Sequence, residues 1–233
     1  MADGTRFGTR EEERALWLEF LEKTRGRDPD PGSLAAIAAA REALGATADV
    51  SRALGFAIDL GCGSGNETLA MLRAGFRVLA VDALPEAVAM TAERAAAEGF
   101  SERCATAVAD LAGLDLPAGA ALIHARFALP FVPESEFPRL WASIRAALAP
   151  GGCFAGQLFG PNDQFAREVP EGSMTFHDAA AVARLIEGLD ILRHEEVAKP
   201  GYTALGRPKY WHVHHLLLRA PRVLRAAPGG SLK

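Results

Sequence analysis

The sequence predicts an α/β fold: a doubly wound, mostly parallel sheet with helices on both faces, preceded by an N-terminal helical cap. Three observations predict it. Short apolar runs alternate with amphipathic stretches from Phe56 onward. A glycine-rich turn, "GCGSG", directly follows the first of those runs. The last two apolar runs have no crossover helix between them, so they are expected to pair as an antiparallel hairpin.

Taken in chain order, Arg10 to Glu22 reads as an amphipathic helix, with Leu16, Trp17, Phe20 and Leu21 as an apolar stripe among acids and arginines. "TRGRDPDPG" breaks it, because Pro29 and Pro31 restrict the backbone and Gly32 relaxes it. A second helix is expected from Ser33 to about Leu44. Both precede the first buried strand, so residues 1–54 are expected to form a helical extension or cap on a core of residues 55–220, with 221–233 as a C-terminal tail.

"FAIDL" is the first strand, and "NETLAMLRAG" a helix ending at Gly75. "RVLAVD" is the second strand, and Pro85 opens a long helix to about Glu98. "CATAVAD" and "ALIHARF" are the third and fourth strands, separated by Gly113, Pro117 and Gly119. Phe137, Leu140, Trp141, Ile144 and Leu148 recur with helical period, closed by "APGG" before the strand "CFAGQLF". Thr175 and Asp178 have capping-box spacing ahead of the helix "AAAVARLIEG". "DILRHEEVA", the bend "GYTALGRP" and "KYWHVHHLLLRA" form the closing hairpin.

A chain of 233 residues, 49% of them hydrophobic, is long enough for one well-buried core. Its net charge of -4 argues against a general phosphate-binding surface, so nucleic acid is not an expected partner. Cys62, Cys104 and Cys153 form no CxxC pair, which fits a reducing compartment better than a disulfide scaffold. The first residues lack the apolar run of a signal peptide, and no later stretch has the length of a membrane span. A cytoplasmic protein with no membrane partner is the expectation.

The most specific local signal is "AIDLGCGSGNET", where Gly61, Gly63 and Gly65 allow a tight turn and close backbone approach to a ligand. Asp82 ends the next strand, seventeen residues after Gly65, where a carboxylate accepts both hydroxyl hydrogens of a ribose. With Asp110 at a later strand end, these residues predict a nucleoside cofactor rather than an ordinary glycine turn. The dinucleotide fingerprint fails at its last glycine, and Asp59 stands where it would repel a pyrophosphate. An ammonium and a sulfonium would find Asp59 favourable, so S-adenosylmethionine fits better than NAD.

On "DLGCGSG" and the strand-end acids, the chain from about Ala57 to Leu218 resembles class I S-adenosylmethionine-dependent methyltransferases. It looks like the small-molecule branch that includes tellurite-resistance and thiopurine methyltransferases. The resemblance implies a Rossmann-like, seven-stranded, mostly parallel sheet with an antiparallel last strand. It also implies that Asp59, Gly61, Cys62, Gly63, Ser64 and Gly65 form the cofactor loop, that Asp82 is the ribose acid with Ala83 next to it also binding the cofactor, and that Asp110 and Leu111 lie beside adenine. "HARFALPF", "LAPGGCFAGQLFG", "MTFH" and "GRPKYWHVHH" also resemble a bacterial subgroup of methyltransferase-domain proteins.

The expected reaction is methyl transfer to a small-molecule acceptor. His124 and Arg126 at the end of strand four, and Gln157 and Phe159 on strand five, are the candidate substrate-binding residues, joined by Arg27 in the break between the first two helices. No residue is singled out as catalytic, because an acceptor that arrives as an anion needs no base. The competing readings are a noncatalytic S-adenosylmethionine-binding or protein-interaction module, an NAD-dependent oxidoreductase and an RNA methyltransferase. In "KYWHVHHLLL", His212 and His214 share one face of a strand and His215 takes the other. His214 departs from the aromatic residue more usual there in the resembling subgroup, and no metal is expected; packing and hydrogen bonding are the roles assigned.

Overall fold

The computed structural model describes residues 7–45 and 54–222, so the expected tail beyond Arg222 lies outside the described residues. Its strands are β1 (Phe56–Leu60), β2 (Arg77–Asp82), β3 (Cys104–Val108), β4 (Ala120–Ala125), β5 (Leu148–Phe159), β6 (Asp190–Tyr202) and β7 (Pro208–Arg219). Its helices are α1 (Arg10–Thr24), α2 (Pro31–Ala43), α3 (Asn66–Arg73), α4 (Pro85–Ala97), α5 (Phe137–Ala147), α6 (Phe165–Glu168) and α7 (Ala179–Leu185). The strands form one seven-stranded sheet in the order β3-β2-β1-β4-β5-β7-β6. Only β7 runs antiparallel to its neighbours, against both β5 and β6.

Local chemistry explains most boundaries. Thr9 and Glu12 close a reciprocal capping box at the start of α1, and at its end the Thr24 hydroxyl donates to the Phe20 carbonyl at 2.8 Å. Asp30 caps α2 by accepting the Gly32 N–H at 2.8 Å, and Pro31 is preset for the first turn. Asp178 caps α7 by accepting the Ala181 N–H at 2.7 Å. Thr175 takes no part in that cap, contrary to the expected box, because its hydroxyl donates to the Val132 carbonyl at 2.6 Å.

The core lies in two layers. Ile123, Phe154, Leu216 and Leu218 face α5 and α7, where Trp141, Ile144 and Val182 cover them. Ala57, Leu122, Ala155 and Leu217 face the other way, against Ile37 of α2 and Leu69 and Leu72 of α3. α2, expected within the N-terminal helical extension or cap, packs on the sheet: Ala36 and Ala40 are fully buried, and such small side chains let the helix lie close. α1, the other helix of that expected region, contributes no residue to either layer.

The second departure is β5, which begins at Leu148, a residue expected to close the preceding helix. "APGG" stays in the sheet because Gly152 has no side chain: a Cβ there would stand 2.5 Å from the Ala120 carbonyl oxygen. Among the described residues no helix is long and apolar enough to cross a membrane.

Candidate functional site

The glycine loop leaves β1 folded tightly against β2. Gly61 and Cys62 both donate N–H to the Val81 carbonyl, at 2.8 and 3.0 Å. Gly61 has φ +71°, and an added Cβ would lie 2.5 Å from the Ala128 Cβ, so the turn needs glycine for both conformation and space. Asp82, at the end of β2, receives the loop: its Oδ2 accepts the Gly63 N–H and its Oδ1 the Leu84 N–H, each at 2.9 Å. Burial raises the Asp82 carboxyl above its ordinary pKa, partly offset by these backbone hydrogen bonds.

The other expected cofactor residues gather at the same end of the sheet. Asp82 pairs in register with Val108, so Ala83 follows one strand end and Asp110 with Leu111 the neighbouring one. Ala83 and Asp110 are exposed and Leu111 is buried; one Asp110 oxygen accepts the Ala112 N–H at 2.9 Å. Cys62 is buried, and desolvation holds its thiol well above the usual range.

The cap closes on this loop. Thr24 and Ser64 hydroxyl oxygens lie 3.3 Å apart, and the Asn66 side-chain amide donates to the Thr24 carbonyl at 2.8 Å. Arg94 of α4 donates to the Ser64 carbonyl and, at 2.8 Å, to Asn66 Oδ1. Above Gly63 nothing stands closer to a notional Cβ than a Leu21 methyl group at 3.9 Å. α1 thus leaves room beside the Gly63 Cα, while the Gly63 N–H is taken by Asp82 and its carbonyl accepts the Thr91 hydroxyl at 3.2 Å.

Asp59 and His124, expected beside the cofactor and the acceptor, are 2% and 4% exposed and pair with each other. His124 Nδ1 donates to Asp59 Oδ1 at 2.9 Å, and the Thr68 hydroxyl donates to Asp59 Oδ2 at 2.5 Å. On the far side of the ring, the buried Ser33 hydroxyl meets His124 Nε2 at 2.9 Å. The reason is register: Asp59 sits opposite His124 in the β1–β4 pair, so both point to the α2 and α3 side. This chain ties both helices to the sheet. Ser33 and Thr68 carried no sequence signal of that role, since hydroxyls facing a sheet look like any other helix positions.

Arg126 follows the end of β4, and Gln157 lies near the end of β5. The Arg126 guanidinium faces Asp30 at 3.4 Å and Glu67 at 3.7 Å, while its Nε is buried without a hydrogen-bond partner. Gln157 Oε1 accepts the Phe127 N–H at 2.9 Å and so holds Phe127 at φ +51°, a conformation unusual for a side chain of that size. Phe159 is buried within an aromatic wall. Its ring centroid is 6.1 Å from those of Phe127 and Phe131 and 5.9 Å from Trp211, and Trp17 of the cap stands 5.1 Å from Phe131. Arg27 is exposed and donates to the Ala204 carbonyl at 3.1 Å, so it joins the cap to the tip of the β6–β7 hairpin.

Behind that wall lies a pair that the sequence reading missed. Lys209 Nζ donates to both oxygens of Asp163, at 2.5 and 2.6 Å, and both side chains are almost fully buried. The ammonium also stands 3.6 Å from the Trp211 ring centroid, 4.3 Å from Phe165 and 4.6 Å from Phe159. Burial pulls the Lys209 pKa down, and Asp163 works against that.

Comparison with known proteins agrees with this geometry. Residues 57–152 match the family described as Methyltransferase domain. The 23S rRNA (uracil(1939)-C(5))-methyltransferase RlmD of Acidithiobacillus ferrooxidans is 46% identical over 54 residues, which is 23% of this chain and 12% of that protein. TehB from Haemophilus influenzae superposes with a TM-score of 0.63 at 15% identity, over 79% of this chain and 61% of that one. The chain therefore spans an eighth or less of the length of that curated relative and under two thirds of TehB. The N-methyltransferase NodS from Bradyrhizobium japonicum, in complex with S-adenosylhomocysteine, gives a TM-score of 0.58 at 15% identity, over 88% of this chain and 98% of that one. A glycine loop ending on Asp82, a β3-β2-β1-β4-β5-β7-β6 sheet and these likenesses together show that the chain has the fold of the class I S-adenosylmethionine-dependent methyltransferases.

Proposed function

We propose that the protein is an S-adenosylmethionine-dependent methyltransferase acting on a small-molecule acceptor. The observation that carries this reading is that Asp82 binds the Gly61–Gly65 loop and pairs in register with the strand that leads to Asp110 and Leu111. The NodS complex with S-adenosylhomocysteine supports the same cofactor class. Bound S-adenosylmethionine supplies an electrophilic sulfonium methyl group.

The chain's own residues fit that cofactor. Asp82 has acceptor capacity beyond its two backbone hydrogen bonds, because an ionised carboxylate offers about four lone-pair sites, enough to take ribose hydroxyls as well. Leu111 and Ala83 offer apolar surface for the nucleoside, and the open space beside the Gly63 Cα leaves room for close approach. Arg126, whose guanidinium is held between Asp30 and Glu67 and stays about a third exposed, is the candidate to bind an acidic group on the methionine end or on the acceptor.

Methyl transfer needs alignment, close approach and exclusion of water. Phe127, Phe131, Phe159 and Trp17 supply an apolar wall for the acceptor, and Gln157 fixes Phe127 at its edge. His124 is engaged on both ring nitrogens, so the chain is read as positioning an acceptor that needs no histidine base. The aromatic wall and the net charge of -4 favour a small acceptor over RNA, whose binding rests on cationic surface.

A panel of thiols, halides, chalcogen anions, small amines and RNA, incubated with methyl-labelled donor, tests the reading. A methylated small molecule together with S-adenosylhomocysteine is the expected product. Donor binding without any product would favour a noncatalytic module, and labelled RNA would favour the nucleic-acid alternative.

A further inference from the structure

One face of the β6–β7 hairpin carries His194 and Glu196 on one strand and His212 and His214 on the other. The register sets Glu196 opposite His214, and the two-residue repeat of each strand keeps all four side chains on the same side. Ligand atoms of Glu196, His212 and His214 lie within 4.8 Å of one another. His194 Nε2 lies 3.2 Å from His214 Nδ1.

The hydrogen bonds decide which atoms are free to ligate. His212 Nδ1 accepts the Asn162 N–H at 3.1 Å, so the ring proton sits on Nε2, which donates to Glu196 Oε1 at 2.8 Å. A neutral His212 therefore has no lone pair to give on the side facing the cluster. His214 is the reverse: its Nε2 donates to the His177 carbonyl at 3.2 Å, leaving its Nδ1 to accept from His194 Nε2, and the exposed His194 ring can carry its proton on Nδ1 instead and free Nε2 for a metal. A carbonyl acceptor on the outer nitrogen is the arrangement that fixes metal-binding histidines.

We propose that His194 Nε2, His214 Nδ1 and the Glu196 carboxylate bind a divalent ion of the zinc class, with His212 orienting the carboxylate and the His177 carbonyl orienting His214. Bond lengths of about 2.0–2.1 Å to nitrogen and oxygen put tetrahedral ligands roughly 3.3 Å apart, and the 3.2 Å between His194 and His214 already matches that edge. A two-histidine, one-glutamate set is an established zinc donor set with a fourth position for water. His194 and Glu196 are exposed, so the ion has access from solvent. It would clip the edge strand β6 to β7 and, through His212 and Asn162, brace the loop that carries Asp163. The sequence showed only the i, i+2 histidine pair; the partners across the ladder come from the hairpin register.

The full chain, stripped with chelator and titrated with Co2+ and then Zn2+, tests the site directly. One equivalent of Co2+ is expected to bind with the intense visible bands of tetrahedral coordination, and Zn2+ to displace it. His194→Gln and Glu196→Gln, both on the exposed strand and so expected to fold, should each weaken binding at least tenfold. His212→Asn should weaken it by roughly 10–100-fold, the range for an orienting partner. Absence of stoichiometric binding overturns the proposal, as does binding that survives both His194→Gln and Glu196→Gln. S-adenosylmethionine binding, measured on the same variants, is expected to stay unchanged, which keeps this test separate from that of the methyltransferase reading.

Discussion

Asp82 accepts the backbone N–H of Gly63 at 2.9 Å, so the acid at the end of one strand anchors the glycine loop that leaves its neighbour. The same carboxylate is the group proposed to hold ribose. Asp82→Ala is expected to weaken S-adenosylmethionine binding by roughly 10–100-fold, the loss of one charge-assisted hydrogen bond at about 1.5–3 kcal/mol. Calorimetric titration of wild type and variant checks it.

The raised Asp82 pKa gives a pH dependence with a defined sign. Ribose hydroxyls donate to the ionised form, so donor affinity should be level near neutrality and fall as acid protonates Asp82, beginning above the ordinary carboxylate range. On the stability side, the folded state holds that proton more tightly than the unfolded chain. This group's stabilising contribution is therefore present at acid pH and is lost as pH rises through its folded pKa. Affinity measured across the acid range in wild type and Asp82→Asn separates this group from others, and an identical profile in the variant contradicts the assignment.

Gly61→Ala should disrupt the loop. The added methyl would lie 2.5 Å from the Ala128 Cβ at a positive φ, so loop and residue 128 must part. Donor binding should drop at least tenfold, while the core, probed by far-ultraviolet dichroism, stays folded.

His124→Ala should act on stability. It removes the donor to Asp59 and the partner of Ser33, leaving a buried carboxylate short of a bond, at a cost of about 1–3 kcal/mol in denaturant unfolding. An unchanged midpoint with lost methyl-acceptor affinity would instead place His124 in the crevice.

These two cases show how far the sequence could be read. Every strand of the sheet, and the placement of the loop glycines, Asp82 and Asp110 at strand ends, were legible because they depend on local pattern: a turn after an apolar run, an acid at a strand end, alternation of strand and helix. Asp59 was legible as an acid beside the loop but not as the partner of His124, because that pairing follows from parallel register between β1 and β4. Lys209 and Asp163 are 46 residues apart and meet only where β7 passes the loop after β5. α2 reads as a cap in sequence because it precedes the sheet; its burial follows from Ala36 and Ala40 facing β4 and β5.

His177 should make the protein acid-sensitive. Burial, with His214 nearby, lowers its pKa from 6.5 to about 4, and its ring stands 4.6 Å from Phe137. Between those values the unfolded chain takes up a proton that the folded ring refuses, so stability should fall as pH drops from about 6.5 to about 4. His177→Phe should flatten that limb of a stability-against-pH curve.

The most direct test of the methyltransferase account is mass-resolved detection of product from methyl-labelled S-adenosylmethionine across the acceptor panel, with wild type and Asp82→Ala side by side. The account predicts a labelled small molecule and an equal amount of S-adenosylhomocysteine from the wild type, both strongly reduced in Asp82→Ala. Equal turnover by the two proteins, or no donor binding by the wild type at millimolar concentration, would contradict it.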